Sequence, residues 1–314
     1  MKYLLRLSGE HPSLPLAEVK GVLEGESIDY GLSDLEGYVL ADLDSGDGKV
    51  FARCAYTLSA CEYLGESETL GGLAGDVYDI LGDVESFRVS ASSSIEKEFG
   101  HLLHSLGLGV DLKNPEADIH VIEHDGVYHA GLKLDLGRDY EVRRPQYRPY
   151  FHPTSMHPKL ARSLVNLARV CGGDVVVDPF CGTGGILIEA GLMGMKPVGF
   201  DIDAKMVEGC TQNLGNYGLC GDVGVCDALE ADIVADAVVT DPPYGRASSL
   251  RCDDGSLYER FVDRARDMLD AGSFMVMVLP SDKGFVHCGF ELVETFDVRM
   301  HKSLTRRIWV MQAI

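Results

Sequence analysis

From Pro158 to Leu279 the chain alternates short apolar runs with longer stretches of helical spacing, and this alternation leaves few folds open. The runs are Val175–Asp178, Val198–Asp201, Val223–Cys226, Ala237–Thr240 and Phe274–Leu279. The helical stretches are Pro158–Val170, Gly185–Met193, Ala204–Tyr217 and Tyr258–Leu269. Val-Val-Val and Phe-Met-Val-Met-Val are unbroken by polar residues, as strands buried on both faces require. Strands and helices in alternation predict a doubly wound parallel sheet. Leu292–Met300 and Ile308–Ile314, separated by a short loop, predict a terminal antiparallel hairpin. In such sheets a ligand sits beyond the carboxyl ends of the strands, at the topological switch point.

Residues before this region lack that regularity. Tyr3–Leu7, Tyr38–Leu43 and Phe87–Ala91 read as strands, and Leu14–Leu23 and Ser94–Leu106 as helices. Val50–Leu64 has helical spacing and is followed by a loop-like Gly65–Gly75. Ser93-x-x-Glu96 has the form of a capping box. Asp125-Gly126, between Val121–Glu123 and Val127–Leu132, predicts a two-residue hairpin turn. The mixture is α+β without an evident catalytic constellation, so a binding or accessory role is expected. Between the two parts, residues 138–157 hold Pro145, Pro149 and Pro153, which disfavour helix and central strand and read as an extended linker.

Hydrophobic residues make up 46% of the 314, enough to build full cores in two or three domains. No apolar run approaches the roughly 20 residues of a membrane span. The start, Met1-Lys2-Tyr3-Leu4-Leu5-Arg6, meets charge at once, unlike a signal peptide. A cytoplasmic, monomeric chain is expected. The nine cysteines form no C-x-x-C pair, and His120 and His124 lack further ligands, so no metal is expected.

The net charge of −21 argues at first against a nucleic-acid partner. The excess is spread, −14 in residues 1–150 and −7 in residues 151–314, in the manner of a solubility adaptation. Binding depends on local patches instead. One patch is Arg138, Arg143, Arg144, Arg148, Lys159 and Arg162; a second is Arg299, Lys302, Arg306 and Arg307.

The first strand of the alternating region runs into Asp178-Pro179-Phe180-Cys181-Gly182-Thr183-Gly184-Gly185. Glycines at a strand-to-helix turn let a ligand approach the backbone and the helix-start N–H groups. The turn is not a G-x-G-x-x-G fingerprint, which counts against a dinucleotide. The next strand ends in Asp201-Ile202-Asp203, where one carboxylate can accept ribose hydroxyls. Asp203 suits a helix N-cap, which leaves Asp201 for the ligand. Asp227, ending a third strand, could accept an adenine amino group or simply form a turn. After the fourth strand comes Asp241-Pro242-Pro243-Tyr244-Gly245. Its rigid turn offers a carboxylate and proline carbonyls to an NH₂ group, with an aromatic ring able to stack a base. An exocyclic amine is a poor nucleophile, and acceptors that hold its hydrogens orient its lone pair toward an electrophile.

Asp178–Gly185 and Asp241–Gly245 resemble the motifs of class I amino-methyltransferases with an [N/D/S]-P-P-Y signature. The chain resembles, more narrowly, archaeal tRNA guanine-N2 methyltransferases that act on position 10. Arg148–Tyr150 through Pro158–Arg162, Asp178–Glu189 and His301–Arg306 carry that likeness, and residues 87–134 are similar to a THUMP domain. The resemblance implies a Rossmann-like α/β class I methyltransferase sheet, preceded by α+β ferredoxin-like and THUMP domains. The implied division is ferredoxin-like 1–50, THUMP-like 51–137, linker 138–157 and methyltransferase 158–314. It implies S-adenosylmethionine as cofactor, held by Asp178, Phe180, Cys181, Gly182, Thr183, Gly184, Asp201, Ile202, Asp227 and Asp241. Asp241, Pro242, Pro243 and Tyr244 would be catalytic on a flipped guanine, and Arg143, Arg144, Arg148, Lys302 and Arg306 would contact tRNA. The same chemistry on ribosomal or other RNA is the alternative within this class. A nucleotide-dependent oxidoreductase and a non-catalytic RNA-binding protein are the alternatives outside it.

Overall fold

A computed structural model describes residues 1–243, 254–285, 288–301 and 304–314. Expected sites at Tyr244 and Lys302 lie outside the described residues. In chain order the first half carries β1 (Lys2–Leu7), α1 (Leu14–Gly25), β2 (Tyr30–Asp34), β3 (Tyr38–Leu43) and β4 (Thr57–Ser67). It continues with α2 (Leu70–Leu81), β5 (Ser86–Ser90), α3 (Ser93–Ser105), β6 (Gly109–Val110), β7 (Ala117–His124) and β8 (Val127–Lys133). The second half carries α4 (Pro158–Leu167), β9 (Val175–Asp178), α5 (Gly185–Leu192), β10 (Lys196–Asp201), α6 (Ala204–Asn216) and β11 (Asp222–Val225). It ends with β12 (Ala235–Thr240), α7 (Asp254–Met268), β13 (Leu269–Pro280), β14 (Phe290–His301) and β15 (Leu304–Ala313). The chain forms two compact units: Met1–Glu10, Ile28–Ala52 and Thr57–Gly137 in one, and His11–Ser27, Arg53–Tyr56 and Arg138–Ile314 in the other.

The first unit is built on a sheet ordered β2-β3-β1-β4-β8-β7-β5-β6 among the described residues. The helical spacing of Val50–Leu64 yields only a short 3₁₀ helix at its start, Gly48–Arg53, and its second half is strand. Cys61 of β4 pairs with Leu4 on one side and Lys133 on the other, and two sheet neighbours outweigh a local periodicity. A division at residue 50 would therefore separate β1, β2 and β3 from the rest of one continuous sheet. The glycine-rich stretch expected as a loop contains the start of α2, where Thr69 Oγ1 caps the Gly72 N–H at 3.1 Å. Leu70, Leu73, Ala74, Val77 and Leu81 bury one face of that helix, which offsets the roughly 1 kcal/mol each helical glycine costs. Ser93-x-x-Glu96 does not cap α3; its N-cap is Ser92, whose side chain makes no capping bond. The Asp125-Gly126 turn forms as read, with φ of +50° and +79° joining β7 to β8.

In the second unit α1 packs with α4 in one core. Glu18 of α1, 0% exposed, accepts hydrogen bonds from Ala55 N (2.7 Å), Tyr56 N (2.8 Å) and Asn166 Nδ2 (2.9 Å). A carboxylate can be buried only with such partners, so the early helix is anchored in this unit rather than in an N-terminal domain ending at residue 50. Residues 138–157 also belong to this unit, with short 3₁₀ turns at Glu141–Arg143 and Pro145–Tyr147.

Among the described residues its sheet runs β11-β10-β9-β12-β13-β15-β14, parallel except for the terminal hairpin. Alternate residues serve opposite faces, as strand geometry dictates. Val176, Ala237, Val239, Val276 and Val278 meet α1, α4 and α5, while Val177, Val238, Met275 and Met277 meet α7. Chain order reverses between β9 and β12, so the turns after these two neighbours open at the same edge. No helix among the described residues is long and apolar enough to cross a membrane.

Candidate active site

The turn after β9 is held open by glycine conformations. Gly182 (φ +50°) and Gly184 (φ +81°) are left-handed, and a Cβ at Gly184 would lie 2.6 Å from Cys210 Sγ. Cys181 N–H donates to Phe200 C=O (2.8 Å) and Gly182 N–H to Asp201 Oδ2 (3.0 Å), which tie the turn to the end of β10. Asp201 Oδ1 accepts from Asp203 N–H at 2.9 Å, and Asp203 in turn caps α6 through Lys205 N–H. Both Asp201 oxygens thus have one backbone partner, with a second lone pair left on each. Beside it Ile202 is 63% exposed, an apolar side chain offered to solvent at a strand end. Asp227 Oδ1 accepts from Leu229 N–H at 2.9 Å, the local turn bond open to an aspartate at this position.

Not every side chain of the turn faces outward. Cys181 is buried in a cluster with Leu187, Ile188, Cys210 and Leu214, so its side chain does not face a ligand. Its contact with Cys210, together with burial, raises the thiol pKa. Phe180 packs edge-on against Phe261 of α7, with centroids 4.9 Å apart. Thr183 Oγ1 bonds Ser155 Oγ at 2.8 Å, and its carbonyl accepts from Asn213 Nδ2 at 3.0 Å.

Two carboxylates lie at the switch point. Asp178 is buried and accepts from Thr240 Oγ1 (2.6 Å) and Phe180 N–H (3.2 Å). Burial pushes its pKa up to about 7; the two hydrogen bonds oppose the rise, and the charges of Asp241 and Asp201 add to it. Asp241 follows β12, and its Oδ2 accepts from Arg306 Nη1 at 2.7 Å. Its Oδ1 is buried without a hydrogen-bond partner among the described residues. Burial pushes the Asp241 carboxyl up to about 6, against the opposing Arg306 charge. Pro242 is buried, and the Pro243 carbonyl accepts from Tyr258 Oη of α7 at 3.2 Å.

Three arginines expected to contact RNA are engaged inside the unit. Arg143 binds both oxygens of Glu189 (2.9 and 3.1 Å) and donates to Asp139 C=O. Arg148 is 4% exposed and donates its Nε–H to Arg143 C=O. Arg306 holds Asp241, with only 12% of its side chain exposed. Of the five expected positions, Lys302 is undescribed and Arg144 is half-buried, pairing with Glu141 at 2.8 Å. Arg143 is internal because Glu189, 0% exposed, requires it together with Arg162. Sequence reasoning missed this network, and also Thr240 and Asn213. One signal was available for Glu189: it is the single charged residue in the otherwise apolar run Gly185–Leu192.

Residues 145–307 match the family described as "RMKL-like, methyltransferase domain". The tRNA (guanine(10)-N2)-dimethyltransferase of Methanothermobacter thermautotrophicus is 37% identical, with all of both chains covered. That of Methanocaldococcus jannaschii is 30% identical over 98% of this chain and 99% of the relative. Among solved structures, TrmN from Thermus thermophilus superposes over all of both chains with a TM-score of 0.58 at 22% identity. SMU.472 complexed with SAH gives 0.52 at 15% identity, covering 99% of this chain and 98% of its own. The last two likenesses concern the fold.

Proposed function

The chain belongs to the family of the tRNA (guanine(10)-N2)-dimethyltransferases, and from that premise we propose that it methylates the exocyclic N2 of a guanine in tRNA, at position 10. The observation that carries the reading is the Oδ1 of Asp241, buried and unpartnered among the described residues, placed one strand from the glycine-rich turn. A buried acceptor without a donor is costly unless a ligand completes it.

The residues at the switch point fit S-adenosylmethionine. When bound, that cofactor supplies an electrophilic methyl on a positively charged sulfur. Asp178 and the backbone of Phe180, Cys181, Gly182, Thr183 and Gly184 receive its methionine end. Asp201 accepts the ribose hydroxyls, Ile202 covers the adenine, and Asp227 accepts the adenine amino group. Asp241 Oδ1 and the Pro242 carbonyl accept the hydrogens of the guanine N2 and so aim its lone pair at the methyl. Within a folded tRNA the base must leave its stack, at a cost of a few kcal/mol.

Asp178 makes cofactor affinity depend on pH. Its pKa in the free folded protein, about 7, lies above the ordinary 3.8. The stability this adds is full below about pH 4 and is lost as pH rises through 7. A cationic amine favours the ionised carboxylate, so binding releases a proton. Affinity for S-adenosylmethionine is expected to fall roughly tenfold per pH unit below 7. Calorimetry in buffers of different ionisation heat would show the proton, and an affinity independent of pH would remove Asp178 from the cofactor site.

The first unit is assigned to tRNA binding. It carries a groove of about 790 Å³ whose lining includes Arg6, Tyr38, Arg88 and His120 as well as Glu96 and Glu123; Arg88 is paired with Asp118, so Arg6 is the cation the groove offers to a phosphate. Arg6→Glu is expected to raise KM for tRNA several-fold with kcat kept, and an unchanged KM would exclude the groove.

The deciding experiment is transfer of labelled methyl to unmodified tRNA transcripts over a range of salt, followed by nucleoside analysis. Label in N2-methylguanosine or its dimethyl form at position 10 supports the proposal. Label only in methyladenosine, or only in ribosomal RNA, overturns it.

A further inference from the structure

Arg306 and Arg307 are adjacent, yet their side chains have different fates. Alternation along β15 sends Arg307 to Asp297 of β14, in a two-bond pair at 2.7 and 2.8 Å on the exposed side. Arg306 points to the other face and meets Asp241. Its backbone lies opposite Pro280 of β13 and Val298 of β14. Because β15 is antiparallel to β13, its first residues arrive at the carboxyl edge of the sheet, where the turn after β12 opens. The reversal of the last strand thus delivers a cation to the acceptor carboxylate.

The pair is nearly dry, with 12% of the Arg306 side chain and 17% of the Asp241 side chain exposed. It engages one oxygen only: Oδ2 takes the guanidinium, and Oδ1 stays buried without a partner among the described residues. An arginine serving tRNA phosphates would instead need its charge at the surface.

We infer that Arg306 is a positioning residue for methyl transfer, clamping Oδ2 of Asp241 so that Oδ1 is presented to the substrate amine. The inference rests on the reading of Asp241 as the amine acceptor. Among the described residues, the charged and titratable groups facing Asp241 are Arg306 from β15, which favours its ionised form, and Asp178 from β9, which repels it; Tyr258 of α7 binds the nearby Pro243 carbonyl. Burial alone would keep the carboxyl protonated further toward neutral pH, and a protonated carboxyl is a weaker acceptor for an amine. The arginine therefore fixes both the direction and the ionisation of the acceptor, and it leaves tRNA binding to other residues.

The test compares wild type, Arg306→Gln and Arg306→Lys for kcat and KM of tRNA methylation from pH 5 to 9, with S-adenosylmethionine affinity by calorimetry. In Arg306→Gln the acid limb of kcat is expected to move up by about 1–3 pH units. Below the new limb kcat falls by roughly tenfold for each unit moved, with KM for tRNA and cofactor affinity within about twofold of wild type. Arg306→Lys keeps the charge and should restore the limb and most of kcat. An unmoved limb in Arg306→Gln, or a raised KM for tRNA with kcat intact, overturns the inference. Should Arg306→Gln lose cofactor binding through misfolding, Arg306→Lys decides alone: a retained limb and kcat support the clamp, and a lost kcat with KM for tRNA raised overturns it. Absence of guanine methylation by the wild-type chain would instead defeat the reading of the site itself.

Discussion

Asp241→Ala is expected to lower the rate of guanine methylation by about 10²–10³-fold, the usual cost of removing one preorganised group from a site where charge develops. The exocyclic amine gains positive charge as its lone pair attacks, and the carboxylate is the only charged acceptor that the turn after β12 offers among the described residues. On the proposed reading Asp241 holds the amine, so affinity for S-adenosylmethionine should remain near the wild-type value. Two companion measurements separate chemistry from folding. The alanine variant leaves the largely buried Arg306 without its carboxylate, so its melting temperature should drop by several degrees. Asp241→Asn keeps an oxygen acceptor of the same shape and cannot titrate. The wild-type rate should fall as pH drops below about 6, where the carboxyl gains its proton, and the asparagine variant should lack that fall. Methylation by Asp241→Ala at the wild-type rate would end the proposed role of this residue.

Glu189→Ala should be the most destabilising single substitution in the second unit, at about 3–5 kcal/mol, because it leaves buried positive charge without its partner. The carboxylate is 0% exposed and joins Arg143 and Arg162, whose side chains are 12% and 9% exposed. The two guanidinium groups also lie over the Tyr140 ring, at 5.0 and 5.7 Å from its centroid. This network fastens residues 138–157 to α4 and α5, the helices that frame the glycine-rich turn. At roughly 2–4 °C per kcal/mol for a unit of this size, melting should fall by about 6–20 °C. Glu189→Gln, which keeps one acceptor oxygen, should lose less. A melting temperature within a degree of wild type for Glu189→Ala would mean that the arginines find other partners at no cost. The same network gives Arg143→Ala a different expected signature from that of a phosphate contact. Stability should fall, while the salt dependence of tRNA binding keeps its slope.

Much of the second unit was legible because its local and global signals agree. Unbroken apolar runs such as Val175–Val177 can only be strands covered on both faces, and the two cores divide their alternate residues as strand geometry demands. Glycines at positive φ and aspartates at strand ends are backbone requirements that each short segment states for itself. The first unit gave weaker signals. Val50–Leu64 has helical spacing, yet its second half is an interior strand whose two neighbours lie fifty or more residues away in sequence. The glycines around Leu70–Leu81 suggest a loop, but the buried face of α2 decides for a helix.

The sequence by itself determined the doubly wound sheet, the glycine turn after β9 and the Asp-Pro-Pro turn after β12, because each depends on residues close together in the chain. Only the tertiary structure decided which charges are free. Arginines 143, 148 and 306 read as a surface for RNA because composition counts charge and cannot see burial. Folding brings Glu189 and Asp241 to two of them across 46 and 65 residues. A buried carboxylate forces such partnerships, since the cost of leaving it unpaired exceeds what any solvated arginine gains at the surface.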